Sequence, residues 1–121
     1  MHRQRCLDEL SGSMRVIALK ALKAFWADHA DAERALQGWY KTVRKEAWRD
    51  FASVRQTFSS ADVAGKCVVF NIGGNKYRLI AAVHYQKRDQ HGTIVEGRVY
   101  IRNVLTHRDY DKGGWRNGCH C

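Results

Sequence analysis

Two glycines, Gly73 and Gly74, sit between two runs of β-branched and aromatic residues, and this arrangement leaves the chain few folds. The run Cys67-Val68-Val69-Phe70-Asn71-Ile72 suits a pleated, half-buried strand. Gly73-Gly74-Asn75 tolerates the positive φ that a tight hairpin turn requires. The return strand spans 76–85. Its first half alternates: Tyr77, Leu79 and Ala81 point one way, and Lys76, Arg78 and Ile80 the other. Residues 86–97 are polar and glycine-containing, which predicts a long exposed loop. A third strand follows over 98–105, with Val99, Ile101 and Asn103 on one face and Arg98, Tyr100, Arg102 and Val104 on the other. A lone arginine among apolar neighbours is usually a snorkelling side chain at a sheet margin. Several converging on one face suggest an anion site.

The chain before this hairpin reads as helical support. Arg15-Val16-Ile17 is a candidate short first strand. Leu19, Leu22, Phe25 and Trp26 then recur at helical spacing, with Lys20 and Lys23 opposite. Residues 29–31 break that helix, and Asp31 or its neighbour is placed to cap the next. The second helix, expected over about 32–48, carries Ala35, Leu36, Trp39, Tyr40 and Val43 on one stripe. Arg34, Lys41, Arg44 and Lys45 lie on its other side, as a solvated face or a phosphate-tracking one. Trp26, Trp39 and Tyr40 read as core rather than as a base-stacking platform. Residues 50–58 suit a short helical turn with Phe51, Val54 and Phe58 inward, and 59–62 a loop. Helices first and a strand meander afterwards predict a compact α+β domain, its two N-terminal helices packed on a small, mostly antiparallel sheet.

Length and composition bound the rest. At 121 residues the chain holds about one domain with one modest core, expected over 14–112. Residues 1–13 have no clear period and are expected to be a disordered extension; residues 113–121 are expected to be a flexible tail. A 45% hydrophobic content argues against an intrinsically disordered chain. No apolar run approaches the roughly 20 residues of a bilayer-spanning helix, and no signal peptide is visible. Cys6, Cys67, Cys119 and Cys121 do not form a disulfide framework pattern, so a reducing cytosol is the expected compartment. Cys119-His120-Cys121 offers three metal-ligand types without a second pair elsewhere, and reads as a frayed tail rather than a zinc site. No metal or cofactor is expected. With 21 Lys and Arg against 12 Asp and Glu, the formal net charge is +9. That excess points to a polyanion or an acidic protein partner, with solubility alone as the bland alternative.

The stretches VVFNIGGNKYRLIAAVHY and YIRNVLTHRDYD, with the opening MRVIALKALKAFWADHADAERALQGWYKTV, closely resemble the HigB-type toxins of bacterial type II toxin–antitoxin systems. The resemblance covers roughly residues 14–112. It implies a RelE-like fold and a cytoplasmic endoribonuclease that cuts messenger RNA in translating ribosomes. It also implies inhibition by a HigA-like antitoxin with a helix-turn-helix domain, operator DNA being reached only through that partner, and no membrane association. The 86–97 loop, the N-terminal extension and the Gly-Gly-Trp tail depart from the family pattern.

The residues themselves carry a chemistry. Cleavage of RNA without metal uses the 2′-hydroxyl against the adjacent phosphate. It needs a base for that hydroxyl, an acid for the leaving 5′-oxygen and cations for the crowded phosphorane. Positioned acid–base groups contribute about 10²–10⁴-fold, and preorganised charge is worth about 3–4 kcal/mol per donor. Arg78 and Arg102 are expected to grip a phosphate bidentately. His107 offers an imidazole that can act as base or acid. Tyr110, three residues on, is placed to return its hydroxyl to the same side, and Lys76 adds charge. Arg98 on the third strand, with Lys41, Arg44 and Lys45, is a candidate RNA contact. Each has a plainer reading. The arginines suit a solvated face, Thr106-His107 a helix cap, Tyr110 a hydrophobic lid, and Lys76 an ordinary turn-flanking residue. His84, inside an apolar strand, reads as structural. Gly-Gly-Asn lacks the spacing of a P-loop. A non-catalytic basic RNA- or ribosome-binding module is the alternative function.

Overall fold

The structure is a computed structural model that describes residues 14–119. The expectations for residues 1–13, and for His120 and Cys121, lie outside those residues. Strand β1 (Arg15–Ile17) leads into helix α1 (Leu19–Asp28), a 3-10 turn (Ala30–Ala32) and helix α2 (Glu33–Val43). Helix α3 (Phe51–Thr57) follows, and then β2 (Asp62–Ala64), β3 (Cys67–Ile72) and β4 (Tyr77–His84). A small hairpin of β5 (Lys87–Arg88) and β6 (Ile94–Val95) precedes β7 (Arg98–Thr106). Helix α4 (His107–Lys112) and a 3-10 helix (Gly114–Cys119) close the chain.

The main sheet has the order β1-β7-β4-β3-β2. Among the described residues only β1 pairs parallel, with β7; the other pairings are antiparallel. The α+β expectation is met. The β3–β4 turn forms as the two glycines require, with φ of 62° at Gly73 and 69° at Gly74.

The N-terminal helices cover one sheet face. Leu22 and Leu36, with Trp39, Val43, Trp48 and Val54, pack against Val68, Phe70, Leu79, Ala81, Val99 and Ile101. Phe70 is fully buried, with Trp39, Trp48 and Phe58 around it at ring separations of 5.4, 6.0 and 5.4 Å. Trp39 is core, as its spacing indicates, but Trp26 and Tyr40 are only half-buried at the rim. Helix α2 ends at Val43, earlier than the apolar stripe implies; Trp48 reaches the core from the connection instead. Asp50, not a residue of the stripe, caps α3 by accepting from the Ser53 amide at 2.9 Å. Asp31 caps neither neighbouring helix.

Four further corrections matter for the site. First, β7 carries a bulge. Ile80 pairs with Asn103 and Ala81 with Ile101, so Arg102 has no partner on β4. An extra residue reverses the alternation beyond it. Val104 therefore joins Val99 and Ile101 on the helix-covered side, while Asn103 faces away opposite Ile80. Second, residues 86–97 are not one open loop: β5 and β6 pair, and Asp89 accepts from the amides of His91 and Thr93 at the turn. Third, Gly114–Cys119 is not a loose tail. It is a 3-10 helix with Trp115 and Cys119 buried against Cys67, Val69 and Ile80 on the other sheet face. Fourth, Cys67 and Cys119 form a disulfide with a Cα–Cα distance of 5.4 Å. Spacing conceals that pair, because 52 residues separate it. Gly65 accommodates the closure: its φ is +59°, and a Cβ there would sit 2.5 Å from the Cys119 carbonyl oxygen.

Candidate active site

Pairing fixes where each side chain emerges. Asn71, Arg78 and Leu105 form a lateral row across β3, β4 and β7, on the face away from α1 and α2. Arg78 is half-buried there. Its Nη1 donates to the carbonyl oxygens of Asn75 and Tyr77, each at 3.1 Å, and its guanidinium lies 5.2 Å from the centroid of the Tyr110 ring. The backbone bonds hold one end of the guanidinium; among the described residues the rest of the fork has no hydrogen-bond partner.

Tyr110 is held from behind. Its ring stacks on Trp115 at 5.1 Å with 12° between the planes, and Trp115 Nε1 donates to the Tyr110 carbonyl at 2.9 Å. Trp115, Tyr110 and Arg78 thus form one stack. The disulfide anchors its base, together with the bond from the Lys66 amide to the Cys119 carbonyl at 2.9 Å. Local chemistry sets α4 itself. The Thr106 hydroxyl accepts from the Asp109 amide at 3.2 Å, an N-cap, and Gly113 ends the helix at φ 80° with its amide bonded to the Tyr110 carbonyl.

His107 opens α4, three residues before Tyr110, so the two are neighbours on one helical face. Half its side chain is exposed, and its Nδ1 lies 3.2 Å from Asp111 Oδ2. A carboxylate on one ring nitrogen orients the imidazole and leaves the other nitrogen for proton transfer. The structure therefore brings Arg78, His107 and Tyr110 to the junction of β4, β7 and α4.

The remaining candidates lie elsewhere. Lys76 pairs with Asp31, which also accepts from the Tyr77 hydroxyl at 2.6 Å. Tyr77 belongs to the helix-covered side, so Asp31 draws Lys76 away from the Arg78 face. The Lys76 ammonium, then the Tyr77 hydroxyl, hold the Asp31 carboxyl below its ordinary range. Asp31 in turn raises both Lys76 and Tyr77. Arg102 protrudes from the bulge, three residues before Leu105 and so roughly 10 Å along the strand from the Arg78 row. Arg98 is exposed further down the same strand. Lys41, Arg44 and Lys45 belong to α2 and the turn after it, on the opposite layer, with Arg44 5.4 Å over the Tyr40 ring. Sequence reasoning missed Trp115 and the pairing of Asp31 with Lys76 and Tyr77. A tryptophan in a polar, glycine-rich tail was the available signal for the first; a 45-residue separation concealed the second.

A small α+β domain thus gathers an arginine, an imidazole and a phenol where its central strands β4 and β7 meet α4. The chain belongs to the HigB toxin family, described as the RelE-like toxic component of a toxin–antitoxin system, whose pattern matches residues 32–113. Curated relatives include the mRNA interferase toxin HigB of Escherichia coli strain K12 and the mRNA interferase HigB proteins of Escherichia coli O157:H7 and Shigella flexneri. Each is 31% identical over 101 residues, covering 81% of this chain and 88% of the relative.

Proposed function

We propose that this protein is an endoribonuclease that cuts messenger RNA on translating ribosomes, the toxin of a type II toxin–antitoxin pair. The observation that carries the reading is the Trp115–Tyr110–Arg78 stack beside His107, in a chain of the HigB family. The reaction is a transfer within the RNA. The 2′-oxygen loses its proton to a base and attacks phosphorus, the bond from phosphorus to the 5′-oxygen breaks, and that oxygen takes up a proton. The upstream fragment ends in a 2′,3′-cyclic phosphate. Arg78 neutralises the phosphorane, His107 carries out one of the two proton transfers, and the Tyr110 hydroxyl supplies a hydrogen bond at the same centre. No residue of this scheme requires a metal. Arg98 and Arg102 track the RNA backbone beyond the cut. A HigA-like helix-turn-helix antitoxin binds the toxin in the cytoplasm, and operator DNA is reached through that partner. None of the helices is long and apolar enough to cross a membrane, counted over the described residues.

The test is induction of the wild-type chain in bacteria beside an Arg78→Ala, His107→Ala double variant. The wild type is expected to arrest growth and leave defined cuts in translated messages, and the double variant to fold and do neither. Unbroken messages under the wild type would reject the nuclease.

The separation of Arg102 and Lys76 from Arg78 favours one other reading, a binding-only RNA or ribosome module. That reading predicts a graded loss of binding on removing any cation, with no step at Arg78 or His107.

A further inference from the structure

The half of the sheet face that α4 does not cover is a second, separate feature. Arg15, Arg98 and His84 are paired laterally across β1, β7 and β4, so all three emerge side by side on that face. All three are exposed. Like charges set directly opposite one another destabilise a sheet. Among the described residues, no ion pair supplies Arg15, Arg98 or the neighbouring Arg102 with a carboxylate. The next row along is Ile17, Tyr100 and Ala82. Tyr100 meets His84 edge-to-face at 5.3 Å. Beside them opens a cleft of about 370 Å³ lined by Ala18, His84, Tyr100, Ile101 and Arg102, the lower end of the range that holds small ligands. Its wall includes Ala18, held in the left-handed region at φ 75°.

We infer that this cleft is a nucleotide subsite for the RNA strand being cut: a base lies against Tyr100 and His84, and a flanking phosphate on the row of Arg15 and Arg98. Cations that track a backbone, with aromatic rings for bases, are how single strands are held without sequence readout. The apolar surface of Ala18 beside the Tyr100 ring suits a base plane, and the row of guanidinium groups suits phosphates better than a mixed-charge protein surface. The bulge supports this placement. It turns Arg102 out of the ladder and into the cleft wall, between this subsite and the Arg78 row. His84, which reads as structural from sequence, becomes a ligand-facing residue. The inference rests on the nuclease reading and extends it from the cut phosphate to its neighbour.

The experiment is fluorescence anisotropy with a short, unstructured oligoribonucleotide carrying 2′-O-methyl riboses, which bind but cannot be cut. Wild type, Tyr100→Ala, Tyr100→Phe, His84→Ala and Arg15→Ala are compared after thermal melts confirm folding. Tyr100→Ala should weaken binding about tenfold and Tyr100→Phe should restore it. Arg15→Ala should reduce the salt slope by about one. Unchanged binding in Tyr100→Ala and His84→Ala would overturn the subsite. If the wild type still cuts messages in that event, only the subsite has failed. If it cuts none, the nuclease reading beneath it has failed.

Discussion

Arg78 does more than supply charge, because its geometry is fixed from two sides: carbonyl acceptors at 3.1 Å and the Tyr110 ring at 5.2 Å. Arg78→Ala is expected to lower the rate of message cleavage about 10²–10³-fold, the usual cost of one preorganised donor. Rate measurements at saturating substrate check this. Asp31 shows a different economy. Its carboxyl is held below its ordinary 3.8, chiefly by Lys76. A depressed carboxyl contributes stability above its unfolded value and loses it as pH falls through the folded one. Lys76, raised above 10.5, contributes below that value and loses its share as pH rises through the folded one. Melting temperatures of wild type and Asp31→Asn should thus differ near neutrality and converge below pH 3.8. An unchanged gap in acid would refute the role given to Asp31. Lys76 illustrates what single residues do not disclose. Its position beside the turn was legible in the sequence, but its partner, 45 residues earlier, was not.

Elements with strong local signals were readable: β3, the glycine turn, β4 and α1 follow from alternation, turn chemistry and helical period. Elements decided by tertiary contact were not. The bulge at Arg102 has no local signature, and it moved Val104 and Asn103 to faces opposite those that strict alternation assigns. The closing 3-10 helix looks polar and loose until Trp115 finds Tyr110 and Cys119 finds Cys67. Closing a loop of this length by a disulfide contributes about 4 kcal/mol on the chain-entropy account. Cys67→Ser is expected to cost about that much in denaturant unfolding. It should also loosen Trp115 behind Tyr110 and lower cleavage beyond the change in stability. On the covered face, Phe70→Ala should cost about 3–5 kcal/mol, since three aromatic rings surround the space it would leave.

The molecule as a whole is a sheet with two unlike faces. One is sealed by α1, α2 and α3 over the aromatic core. The other is half covered by α4 and the 3-10 helix and half open, with arginines across it. That division explains why the fold class was legible while the site was only partly so. Alternation separates the two faces, and it identified Arg78, Arg98 and Arg102 as outward. It cannot say which outward residues lie close together, because pairing register and the bulge decide that. The three-residue spacing from His107 to Tyr110 predicts that the two share one side, and α4 holds them there. Lys41, Arg44 and Lys45 share the net charge of +9 but sit on the other layer. Neutralising those three should leave cleavage within a few-fold of wild type.

The most direct measurement is single-turnover cleavage of a defined message in purified translating ribosomes, with the fragment ends analysed. Wild type, Arg78→Ala and His107→Ala would be compared at matched occupancy. The predicted result is a 2′,3′-cyclic phosphate on the upstream fragment, with a rate that falls steeply in both variants while ribosome association persists. Equal rates in all three proteins would contradict the placement of the active site at the junction of β4, β7 and α4.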